Sequence, residues 1–171
     1  MADTTATREI FVTGLKNAHA MESQALSIMK PQVSRIDNYP EVARRLEEHI
    51  RETEGQIGRI EGLLESLDGR HSSLKDMALS FTGAMAAMGH TVAGDEILKN
   101  SFANFAFENF EIAAYKSLMT IAELGGFPSA TSALQANLQE EQNMAKWLDD
   151  NLRTVTVRFA NLREAGETAK V

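Results

Sequence analysis

The sequence predicts an all-α fold, a four-helix bundle with one crossover connection. Two observations predict it. Four long stretches place apolar residues at three- and four-residue steps, separated by breaks that carry Pro or Gly. Each stretch also sets at least one carboxylate or imidazole inside its apolar face, as bundles with a polar site in their core do. At 171 residues the chain has the length of one domain, with enough material for a sizeable core.

The first eight residues, MADTTATR, are small and polar, and they are expected to be disordered. The bundle is then expected over residues 9–165. Its first helix is Glu9–Lys30, closed by Pro31, with Phe11, Leu15, Ala18, Ala25, Leu26 and Met29 on one face and Glu22 at the centre of that face. Pro40 suits the first turn of a second helix, about Glu41–Leu67. Its stripe is Val42, Leu46, Ile50, Thr53, Ile57, Ile60 and Leu64, with His49 inside it and Glu52 at its rim. Arg44, Arg45, Glu47, Glu48, Arg51, Arg59 and Glu61 cover the other side as a solvated, charge-paired face.

Asp68-Gly69 stops that helix. The weaker segment His71–His90 reads as a short extra helix over Leu74–Met88, within a crossover that lets helices two and three run the same way. The third helix, Asp95–Glu123, has no Pro or Gly and is ended by Gly125-Gly126 and Pro128. Ile97, Leu98, Phe102, Phe105, Ile112, Tyr115, Leu118, Met119 and Ala122 share its apolar arc, with Glu108 near the middle and Glu111 inside the edge. The fourth helix is Ser132–Leu152, where Leu134, Leu138, Ala145, Leu148 and Leu152 define the face and Glu141 sits at its centre. Thr154–Val171 reads as a final short helix or an arm across a partner, with residues 166–171 as a flexible tail.

Composition narrows the chemistry. A net charge of −7 leaves no basic stripe for nucleic acid. There is no Cys, which excludes disulfides, thiolate metal sites and thiol catalysis. No apolar leader or membrane-length stretch is visible, so a cytoplasmic protein off the membrane is expected.

The candidate site is Glu22, His49, Glu52, Glu108, Glu111 and Glu141. Five carboxylates and one imidazole would carry a charge of about −5 if ionised, which a dry core does not tolerate. No Lys or Arg stands in the middle of these faces, so divalent cations are the expected compensation. Carboxylates and imidazole without thiolate suit iron or manganese, with two ions possible, and zinc less well. His19 repeats the His-x-x-Glu spacing ahead of Glu22 but is placed at the rim, and Gln56 is placed behind the ligands. Tyr115 is read as a core residue whose hydroxyl meets a carboxylate. His71 and His90 are read as surface residues, and Trp147 with the 154–159 segment as apolar surface for a two-fold dimer.

The runs AGDEILKNSFANFAFENFEIAAYKSL, HIRETEGQIGRIE and LQEEQNMAKWLDDNL resemble the YciE/YciF family of bacterial ferritin-like proteins, a domain of unknown function. The resemblance implies a rubrerythrin-like four-helix fold with a crossover, a homodimer and a link to stress responses, without naming a reaction. Against the wider ferritin-like pattern, helix two carries His49-x-x-Glu52 in place of Glu-x-x-His, and Met144 stands three residues after Glu141. The ligand set is therefore asymmetric, furnishing one metal position better than the other. The expected function is a di-iron or di-manganese bundle handling peroxide or oxygen. The alternative is a stress-induced structural or interaction protein that uses the same fold without catalysis.

Overall fold

The structure is a computed structural model that describes residues 4–68 and 93–171. Four long helices make up most of the described residues: α1 (Thr4–Val33), α2 (Pro40–Asp68), α3 (Glu96–Gly125) and α4 (Thr131–Glu164), the last entered through a 3₁₀ turn at Pro128–Ala130. Side-chain pairings fix the directions. Along α1 and α3, Glu22 meets Tyr115 and Arg35 meets Glu96, so the two helices are antiparallel. Lys30 meets Glu54 and His19 meets Glu61, so α1 and α2 are antiparallel as well. Arg158 meets Glu41 and Gln56 meets Glu141, which makes α2 and α4 antiparallel. It follows that α2 and α3 run the same way, although they are consecutive among the described long helices. Consecutive long helices that run the same way are the connectivity of a ferritin-like fold. The expected short helix over 74–88, with His71 and His90, lies outside the described residues.

The core is one cluster threaded by all four helices, including Phe11, Leu15, Leu46, Ile60, Ile97, Leu134 and Met144, each almost fully buried. At its upper end α3 stops where Gly126 takes a left-handed φ of 72°, and the Phe127 N–H closes the turn on the Ala122 carbonyl at 2.8 Å. That turn lays the Phe127 ring on Phe11, with 4.7 Å between centroids. Gly125 is required there, because a β-carbon would run into the Phe127 ring. Among the described residues, no helix is long and apolar enough to cross a membrane.

Four expectations about element limits change. Residues 4–8 are helical, and Arg8 explains why, since it hydrogen-bonds the Leu67 carbonyl at the open end of α2. Pro31 does not close α1, which runs on to Val33. In a last turn its missing N–H costs a single bond, and its carbonyl is taken by Ser34 and Arg35. The TVTV segment extends α4 as unbroken helix, because Val155 is buried in the core and Arg158 lies 5.7 Å from the centre of the Tyr39 ring.

The last residues are not a loose tail. Gly166, at φ 73°, turns the chain back under the bundle. The Tyr39 hydroxyl then donates to the Ala169 carbonyl at 2.7 Å, and the Ile97 N–H donates to Lys170 at 2.8 Å. Lys170 also joins Arg35 on buried Glu96, at 3.2 and 2.7 Å. Burial opposes the Glu96 charge, but these two cations outweigh it and hold the carboxyl below its usual range.

The phase of α3 also differs. Phe102, Phe105 and Phe110 face outward, while Asn100, Ser101, Asn104, Glu108 and Glu111 face inward. The amide pair Asn104–Gln32, bonded in both directions at 2.9 and 3.2 Å, anchors this rotation between α3 and α1. Apolar residues nearly all round this helix leave its phase to the polar groups that need partners.

Candidate metal centre

Each helix brings its polar residue to the bundle centre from mid-length, where side chains are held by core packing on both sides. Glu22, His49, Glu108, Glu111 and Glu141 are all buried to within 2% exposure. One donor atom from each of His49, Glu108, Glu111 and Glu141 lies within 4.8 Å of the others. Donors on opposite sides of one ion stand roughly 4.2 Å apart, twice a metal–ligand distance of about 2.1 Å, so the set has the size of a coordination shell.

His49 is aimed by Glu52. Its Nδ1 is 2.8 Å from the Glu52 carboxylate, and Nε2 points at Glu108 and Glu141, at 3.2 and 3.4 Å. A carboxylate behind a histidine in this way fixes which ring nitrogen is offered forward. Glu52 itself is half-buried, is held by Arg45 at 3.0 Å, and stands outside the group of four. The three-residue step placed it on the face of His49, but at the rim, where its carboxylate turns back to the imidazole. Thr53 steadies the same turn through a 2.9 Å bond to the His49 carbonyl.

On the other side, the Tyr115 hydroxyl donates to Glu22 Oε1 and accepts from Asn137 at 2.9 Å. Gln56 donates to Glu141 Oε1. Asn137 is the residue the sequence reading missed. Its signal was present, since it is a polar side chain one turn before Glu141 on the same face of α4. His19 stays at the rim, 3.1 Å from Glu61.

The electrostatics are those of a crowded anionic core. Burial first, then the charges of Glu22, Glu141 and Glu108, push Glu111 well above the usual carboxylate range. Burial and Glu141 do the same to Glu22, against the Tyr115 bond. Glu108 is pushed up to about 8 by burial, in spite of His49. His49 is raised well above its ordinary value: burial opposes its charge, but Glu108, Glu141 and Glu52 outweigh burial. Glu141 goes down, because the His49 and Gln56 bonds outweigh its burial. Among the described residues, none donates a hydrogen bond to either buried oxygen of Glu111 or to Oε2 of Glu22. Orphaned carboxylate oxygens beside an imidazole and three further carboxylates, with no sulfur donor, fit a hard divalent cation.

A ferritin-like helical bundle with a buried carboxylate/histidine cluster is the class of protein these features define. The chain belongs to the YciE/YciF family, and residues 6–161 match the family described as Domain of unknown function (DUF892). Protein YciF of Escherichia coli (strain K12) is 28% identical over 145 residues, 78% of this chain and 82% of that one. A crystal structure of a protein from Xanthomonas campestris pv. campestris is 32% identical, with a TM-score of 0.78 over 93% of this chain and 99% of that one. The crystal structure of the E. coli stress protein YciF matches with a TM-score of 0.70 at 23% identity, over 89% of this chain and 96% of that one, a likeness of fold.

Proposed function

We propose that this chain is a cytoplasmic, ferritin-like metalloprotein that holds iron or manganese at the bundle centre and handles peroxide or oxygen during stress. His49, Glu108, Glu111 and Glu141 would hold one ion, with Glu22 beside them for a second. The observation that carries this reading is Glu111, a fully buried carboxylate to which none of the described residues donates a hydrogen bond and whose neighbours are three other carboxylates. Without a cation such a group must take up a proton, which it can then share with Glu141, whereas a cation would use its oxygens directly.

When bound, iron or manganese supplies a Lewis acid and a redox couple. The chain does the rest. Glu52 orients His49, and the Tyr115 and Gln56 bonds orient Glu22 and Glu141. Ala25, Ile28, Met29, Ala103 and Phe107 wall a cavity of about 10 Å³ against Glu108, room for about one water. A space of that size beside a ligand leaves no room for an organic substrate. The stress description of E. coli YciF supports the physiological side of the proposal.

We also propose a two-fold dimer. Trp147 and Phe159 pack against the chain's own core, so the surface that first suggested a dimer is largely used up within one copy. Val157 stays exposed in that segment, but among the described residues the larger exposed apolar group is Phe102, Phe105 and Phe110 on α3.

Elemental analysis of protein purified without added metal or chelator tests the central reading. The expected result is iron or manganese at between about one and two ions per chain. Metal-free protein whose melting is unmoved by either ion would leave the non-catalytic, interaction-protein reading in its place.

A further inference from the structure

The hydrogen bonds around Glu22 form a line with a direction. Arg59 on α2 donates from Nε to the Asn137 Oδ1 on α4, and from a second nitrogen to Glu140. Asn137 donates from Nδ2 to the Tyr115 hydroxyl oxygen at 2.9 Å, and Tyr115 donates to Glu22 Oε1. Arginine is a donor only, so the amide of Asn137 must turn its oxygen toward Arg59 and its NH₂ toward Tyr115. The Tyr115 oxygen then accepts, which leaves its own hydrogen for Glu22. Chemistry alone orients every link. Arg59 and Glu140 are about one-quarter to one-third exposed, whereas Asn137, Tyr115 and Glu22 are buried to within 1%. The line therefore runs from the α2–α4 surface to the core.

Its effect is to divide the two oxygens of Glu22. Oε1 is occupied, and Oε2 is buried without a hydrogen-bond partner among the described residues. Glu141 is treated the same way from the other side: Gln56 takes Oε1, and Oε2 lies 3.4 Å from His49 Nε2. No amide or hydroxyl of the described residues caps either oxygen of Glu111, whose polar neighbour is the Glu141 carboxyl.

We propose that Tyr115 and Asn137 are positioning residues that hold Glu22 as a one-oxygen metal ligand, leaving Glu111 as the carboxylate free to use both oxygens. This rests on the metal-centre reading above. In it, Glu22 and Glu141 are static ligands, while Glu111 adjusts as the number of bound ions changes. The restraint on Glu22 is set partly from the protein surface, through Arg59.

The test uses the full chain stripped of metal and titrated with Mn²⁺, with the free ion read by its EPR signal. Tyr115→Phe should weaken binding of the weaker ion about 10–100-fold, the usual effect of removing a group that orients a ligand. Glu22→Gln should weaken it at least as much. The double variant should be no weaker than Glu22→Gln alone, because the hydroxyl acts only through that carboxylate. A general packing role for Tyr115 would instead give additive losses. Circular dichroism and melting of the metal-free variants check folding. Should Tyr115→Phe not fold, Arg59→Met breaks the line at its exposed end and enters the same cycle with Glu22→Gln. Absence of Mn²⁺ binding by wild type overturns both this inference and the metal-centre reading. Binding by wild type with unchanged affinity in Tyr115→Phe, or additive losses in the cycle, overturns this inference alone.

Discussion

Raising the pH of the metal-free protein from about 5 to about 8 should destabilise it, and bound metal should reverse the trend. The sign follows from the buried carboxyls. Burial and mutual repulsion raise Glu22, Glu108 and Glu111, whereas in the unfolded chain they titrate near about 4.3. Over this interval the native state binds more protons than the unfolded state, so stability falls as pH rises. Each excess proton contributes about 1.4 kcal/mol per pH unit. For Glu108, raised from 4.5 to about 8, that amounts to on the order of 5 kcal/mol by the top of the window. A typical domain has only about 5–15 kcal/mol in total.

His49 adds to the trend. Its raised value means a stabilisation present below its unfolded value, about 6.5, and lost as pH climbs through the folded one. Glu141, Glu52 and Glu96 are lowered, so their stabilisation is present above the unfolded value and disappears as pH falls through the folded one. The metal-free protein should therefore be most stable near about pH 5. Metal needs deprotonated ligands, so its stabilisation should grow with pH. At a hundred times the dissociation constant it adds about 2.7 kcal/mol. Urea unfolding at several pH values, with chelator and with Mn²⁺, measures both curves. A chelated protein whose midpoint is flat or rises with pH, or a metal effect equal at all pH values, would refute the reasoning.

Other outcomes are expected from the same geometry. Glu111→Gln should lower the number of ions bound, yet raise metal-free stability near pH 8 by about 1–3 kcal/mol, because it removes a carboxyl that must take up a proton to stay in the core; equilibrium unfolding with and without metal reads both. Deleting residues 167–171 removes the bonds from Tyr39, Asn38 and Ile97 to the returning chain. At about 1 kcal/mol each, offset by regained chain entropy, the net loss should be about 2 kcal/mol, with metal binding unchanged. Thermal melting and Mn²⁺ titration of the truncated chain check this. Sedimentation of wild type should give twice the 18.8 kDa of one chain. Replacing Phe102, Phe105 and Phe110 with Ser should give a folded protein at the single-chain mass.

Much of the architecture was legible beforehand. The three- and four-residue apolar steps located all four long helices, because a helix that packs in a bundle must repeat its buried face at its own pitch. Glu22, His49, Glu108, Glu111 and Glu141 were identifiable for the same reason: each interrupts a stripe that packing would otherwise fill with apolar atoms. The limits of the elements were harder. Thr4–Arg8 and the TVTV segment look like poor helix on local grounds, and they are helical because Arg8 finds the end of α2 and Val155 finds the core. Residues 166–171 look like a tail until Glu96 and Tyr39, distant in sequence, provide their partners.

By itself the sequence determined the bundle, the number of its long helices and the residues that meet at its centre, since periodic burial is a property each helix carries alone. Only the tertiary structure decided the rotation of α3, which turns Phe102 outward and Asn104 inward toward Gln32. It also decided that Glu52 stands behind His49 and that Asn137 reaches Glu22 through Tyr115. These are contacts between helices. A stripe along one helix says which side chains go inward, but which oxygen is capped and which is left bare depends on donors that the neighbouring helices bring to the same level.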